Sequence, residues 1–198
     1  MIIMLREERR AYLVRLHPYM IASLILFGAG TAIGLVVVSY FPGLADHFEE
    51  TIAAFVKTFA GMPRLKLAAA IFVNNTIKTL LAILLGALFG IIPAFFLLAN
   101  GIALGVAWSL SASARGPWLS LLSILPHGIL ELPAVFLGTS IGMAIGVQAL
   151  KRLTGKSDLN ISAELVSGLR YFCSVIVPLL FIAALVEAFV TAAFVAPR

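Results

Sequence analysis

Four ionisable side chains, Lys78, His127, Glu131 and Glu187, stand within long apolar runs, and the amides Asn74, Asn75 and Asn100 share such surroundings. An ionisable group near the middle of a membrane helix costs roughly 2.5–3.5 kcal/mol on insertion scales, so each needs a reason to be there. Their types allow three kinds of chemistry. Lys78 could pair with Glu131 or Glu187 while the amides hydrogen-bond between helices, so that the set fixes helix register. The same groups could hold an ion, pass a proton or grip a lipid headgroup. One histidine and two carboxylates, His127, Glu131 and Glu187, could also form a three-ligand set for a divalent metal such as zinc.

Spacing sharpens the picture. His127 precedes Glu131 by four residues, which puts both on one face of a continuous helix. Pro126 suits a helix start, whereas Pro133 has no amide proton and frees the carbonyl of Ile129. Counted along the expected spans, Glu187 comes about 24 Å from one membrane face and Glu131 about 6 Å from the other. In a hydrocarbon core of roughly 30 Å the two carboxylates are then level, in the outer half. Lys78 and Asn100 fall nearer the midplane, with Asn74 and Asn75 further outward. No His-Glu-x-x-His pair and no glycine-rich phosphate loop occurs, so familiar metalloprotease and nucleotide-hydrolysis machinery lacks its parts, and no catalytic residue is assigned. His17 and His47 lie at span edges and receive no role.

The elements that must position these groups follow from composition. Of 198 residues, 62% are hydrophobic and 12% charged, with a mean hydropathy of +1.09, more than a hydrated surface can carry. Apolar runs of this length exclude the alternating strands of a barrel and leave helices. The pattern predicts an all-α, polytopic bundle of about five transmembrane helices in a single domain over 1–198. Spans are expected at about 19–41, 67–89, 91–112, 126–150 and 171–195. A re-entrant or short helix is expected before the fourth span, from Trp118 to Leu125, and Pro178 should kink the last one. Between the first two spans, Leu44, Phe48, Ile52, Phe55, Val56 and Phe59 recur at helical spacing, which predicts an amphipathic surface helix at about 44–60. The single cysteine, Cys173, leaves no intrachain disulfide.

The net charge of +5 belongs to residues at the ends of apolar runs, so it reads as a topology signal and not as a nucleic-acid surface. Arg6, Arg9, Arg10 and Arg15 share one side with Lys151, Arg152, Lys156 and Arg170, while Lys57, Arg64, Lys66, Arg115 and Arg198 take the other. The bias predicts an inside amino terminus and an outside carboxyl terminus. Glycines four apart at Gly30/Gly34, Gly86/Gly90, Gly101/Gly105 and Gly142/Gly146 predict close helix packing in a compact bundle or a tight homo-oligomer. The string Pro93-Ala94-Phe95-Phe96-Leu97 is echoed by Pro133-Ala134-Val135-Phe136-Leu137, and Gly101 to Val106 by Gly142 to Val147. Such an echo in oppositely directed spans has the form of an inverted repeat.

Pro93 through Asn100-Gly101-Ile102-Ala103-Leu104-Gly105, then Leu125-Pro126-His127-Gly128-Ile129-Leu130-Glu131-Leu132-Pro133-Ala134, then Leu185-Val186-Glu187-Ala188-Phe189-Val190-Thr191, resemble the stage II sporulation protein M family. The Pro-His-Gly-Ile-Leu-Glu-Leu-Pro string is the most specific of these, and the likeness runs through the chain from the first span. The resemblance implies a small multi-pass protein of the prokaryotic inner (cytoplasmic) membrane. In sporulating members it implies the membrane-embedded partner of a peptidoglycan-degrading complex. Its recurring motif residues here would be Asn74, Asn100, His127, Glu131 and Glu187. The sequence therefore reads as a non-enzymatic scaffold or permease-like subunit that docks membrane or envelope protein partners during envelope or membrane remodelling. A transporter or channel for an ion or lipid-like substrate, using Glu131, Glu187 and Lys78, is the alternative. A metal-dependent membrane enzyme at His127, Glu131 and Glu187 is the second.

Overall fold

A computed structural model describes residues 4–41, 43, 46–48, 50–51, 61–156 and 160–191, apart from the side chains of 123–127, 130 and 190–191. Helix α1 spans Arg6–Tyr40, α2 Arg64–Leu84, α3 Ile91–Arg115 and α4 Pro117–Leu153. The last span is built from α5, Ile161–Tyr171, a π turn at Phe172–Ile176, α6, Val177–Val186, and a second π turn at Glu187–Thr191. Five helices are long and apolar enough to cross a membrane, and among the described residues there is no strand. Most of the expected amphipathic helix at 44–60 lies outside the described residues. Residues 46–48, 50 and 51 are helical, and the Thr51 hydroxyl donates to the His47 carbonyl at 2.9 Å.

Helix α1 begins thirteen residues before the expected span, because the Arg-rich segment continues the helix. The Leu5 amide donates to the Glu8 carboxylate at 2.8 Å, which satisfies a free donor at the helix start. Pro18 is accommodated within the helix. The basic amino-terminal turns pack against α5: Arg15 pairs with Glu164 at 3.2 Å, Arg170 with Glu8 at 3.3 Å, and the rings of Tyr12 and Tyr171 lie 5.3 Å apart. The amino-terminal segment and the loop before the last span thus share one end of the bundle.

The short helix expected before the fourth span is not separate. Pro117–Leu153 is one helix of 37 residues that passes through Pro126 and Pro133. Each proline removes one backbone hydrogen bond, but neighbouring helices allow a membrane helix to tolerate that loss. The break falls earlier, at Gly116, whose φ of +88° is open to glycine and strained for other residues. Ser111 and Ser120 close this turn with hydroxyls 2.8 Å apart. In the last span, the π turn directly precedes Pro178. Widening that turn relieves the proline ring's clash with the Ser174 carbonyl.

The glycine pairs decide how the spans pair. A Cβ at Gly34 would strike the Ile102 carbonyl and come within 3.0 Å of the Gly105 Cα, and one at Gly30 would come within 3.2 Å of the Gly101 Cα. Gly138 faces Thr79, Gly142 faces Ala82 and Gly86, and Gly146 faces Gly86 and Gly90. Numbers rise together in both sets, so α1 runs parallel to α3 and α2 parallel to α4. Ser23 meets Thr139 and Ser140 and Phe27 meets Phe136, so α1 and α4 are antiparallel. Two seams of direct backbone contact, oppositely directed, hold four spans together, which is the role small residues play where lipid offers no hydrophobic drive. The echoed pairs Gly101/Gly105 and Gly142/Gly146 each form one side of a seam. All four glycine pairs are used within the chain.

Candidate intramembrane polar site

Helix α4 carries Glu131 into the interior, where it is 5% exposed. Its depth follows from the α2/α4 seam. Thr79 faces Gly138, and Phe72 and Glu131 each lie seven residues before those partners, so Glu131 shares a rung with Phe72. Phe72 in turn meets Phe181 edge-on at 5.6 Å. Glu187 follows Phe181 by six residues, about 9 Å further along the last helix, and is half-buried at the start of the second π turn. The helices that carry the two carboxylates pack against each other.

The other predicted residues distribute as follows. Asn74 is exposed and Asn75 half-buried, with the Asn74 amide donating to Asn75 Oδ1 at 3.1 Å. Asn100 is half-buried and donates to the Phe96 carbonyl of its own helix at 2.7 Å, so it serves α3 and joins no other member of the set. Lys78 is exposed. Its neighbour Thr79 faces α4, and one residue of helix rotation, about 100°, turns Lys78 away from both carboxylate-bearing helices. Among the described residues Lys78 makes no hydrogen bond or ion pair. His127 lies in α4, and its side chain is outside the described set. Glu131 and Glu187 both have interaction partners. Helices α2, α4 and the last span pack against one another, so the elements bearing Asn75, Glu131 and Glu187 meet. Among the described residues no three His, Cys, Asp or Glu side chains gather as a metal set.

A second polar group went unnoticed in the sequence. Ser23 of α1 places its hydroxyl 3.1 Å from that of Ser140 and 3.4 Å from that of Thr139, and all three are fully buried. Thr139 also donates back to the Val135 carbonyl at 2.8 Å, so the cluster ties α1 to α4 without leaving an orphaned group. The readable signal was Thr139-Ser140 between Gly138 and Gly142: hydroxyls on a stripe already committed to close packing.

A bundle of five membrane-length helices, seamed by glycine and carrying carboxylates inside, defines a multi-pass integral membrane protein. Residues 23–192 match the stage II sporulation protein M family, and the chain belongs to that family. Neither a curated relative nor a solved structure matches it.

Proposed function

We propose that the chain is a non-enzymatic scaffold of the prokaryotic cell membrane, a docking subunit for proteins that remodel the envelope, with its amino terminus in the cytoplasm. The observation that carries this reading is the pair of glycine seams. Four spans are in backbone contact, which favours a stiff frame over one that must open and close. Family membership supports the same class of role, and the excess of Lys and Arg at the α1/α5 end supports the orientation. The test is reconstitution of the purified chain in liposomes: a scaffold leaves ion and solute fluxes at the level of empty vesicles.

A transporter is the competing reading, favoured by Glu131 buried inside the helix bundle, where an ionisable group marks an ion or proton path by default. Solute movement by the pure chain, abolished by Glu131→Gln, would replace the scaffold reading with this one. Elemental analysis of the same preparation tests the third, a zinc set at His127, Glu131 and Glu187. Stoichiometric zinc lost in His127→Ala would establish it.

A further inference from the structure

The outward face of α2 repeats at the spacing of a helix seam. Asn74, Lys78 and Leu81, and then Leu85 in the 3-10 turn that ends the helix, follow one another by four, three and four residues, and all four are exposed. That is the alternation by which one helix receives another along a left-handed crossing. Lys78 lies fourteen residues past Arg64 and twelve before the turn at Gly90, about 21 Å and 18 Å, so it faces outward near the bilayer midplane. Headgroup phosphates are about half the core thickness away, roughly 15 Å, beyond the reach of a four-carbon stem. A bare ammonium in acyl chains is costly, whereas one facing a carboxylate is not.

We propose that this face of α2 docks a single transmembrane helix of another protein, one that carries a carboxylate at the depth of Lys78. Charge complementarity selects this occupant over a second copy. A closed two-fold pair about the membrane normal would set Lys78 against Lys78 at equal depth. Asn74, one turn away on the same face, adds an amide that can fix the register of the incoming helix. The inference rests on the scaffold reading and names the kind of partner it takes.

The test uses the full chain, donor-labelled, in phosphatidylcholine/phosphatidylglycerol vesicles, with acceptor-labelled leucine-rich transmembrane peptides. One peptide carries a single central glutamate and its control carries leucine there. The expected result is about tenfold tighter energy-transfer binding of the glutamate peptide. Lys78→Met should lose this preference, Lys78→Arg should keep it, and Lys78→Glu should transfer it to a peptide with central lysine. Equal binding of glutamate and leucine peptides overturns the proposal, as does a glutamate preference that survives Lys78→Met. Self-association of the chain that is lost in Lys78→Met also overturns it, in favour of a second copy. Lys78→Met faces outward and its folding is checked by monodisperse elution. If the peptide preference is absent while the liposomes remain flux-silent, this inference fails and the scaffold reading stands.

Discussion

Adding one methyl group at Gly34 should destabilise the bundle, while the same change six residues earlier should not. A Cβ at Gly34 would lie 3.0 Å from both the Gly105 Cα and the Val106 nitrogen, and closer still to the Ile102 carbonyl oxygen. Carbon atoms prefer separations of about 3.5–4.0 Å, so α1 and α3 would have to part by roughly 0.5–1 Å. A gap of that size forfeits about a quarter to a half of each contact energy along the seam. Because the obstructing atoms are backbone, no rotamer change can relieve the clash. The cost is that of overpacking, about 1–3 kcal/mol, which at roughly 2–4 °C per kcal/mol for a chain of this size lowers Tm by about 2–12 °C. At Gly28 a Cβ meets nothing within 4 Å, and Gly28→Ala should be neutral or gain up to about 1 kcal/mol from helix propensity. Thermal scans of both variants in one detergent, read by the fraction that still elutes as monodisperse protein, compare them directly. Equal loss in the two, or none in Gly34→Ala, would refute the seam.

Ser23→Ala should cost only about 0.6–1.7 kcal/mol in steric-trap unfolding, because Thr139 keeps its bond to the Val135 carbonyl; a larger loss would mean the cluster holds something more than helices. The Arg15–Glu164 pair is partly solvated, so a double-mutant cycle with Arg15→Gln and Glu164→Gln should give about 0.2–1 kcal/mol of coupling, fading in high salt. Coupling unchanged by salt would place the pair in a drier setting than its exposure suggests. For orientation, cysteines introduced into a Cys173→Ala background as Ser113→Cys and Lys156→Cys should differ: in intact cells an impermeant maleimide labels the first and spares the second. The reverse pattern inverts the proposed topology.

Helix class was legible because lipid leaves the backbone few choices, and runs such as that following Tyr19 have one solution. The glycine pairs were legible as close contacts but not as partners. Four-residue spacing identifies a stripe without saying which stripe it meets, and pairing α1 with α3 and α2 with α4 needed coordinates. Proline misled at Pro126: the rule that prolines end helices weakens where neighbouring spans satisfy the freed carbonyl, and the break fell instead at Gly116. Lys78 shows the limit of depth counting. Depth gave it two carboxylate partners, but rotation about the helix axis, which depends on which face α4 takes, turns it outward. The hydroxyls of Ser23, Thr139 and Ser140 drew no notice because serine and threonine are cheap enough in a membrane to need no explanation.

The interleaving of the seams bears on how the chain is made. Spans leave the insertion machinery in order, yet the glycine face of α1 is met by α3, and that of α2 and its following turn by α4. A nascent protein that has released its first two helices therefore holds two unmatched glycine faces in the lipid. A chain stopped after Arg115 completes one match and leaves the other open. Quality control that recognises unpaired small-residue faces would find this protein vulnerable late in synthesis, and the short turn at Gly116, which brings α4 in directly behind α3, keeps that interval brief.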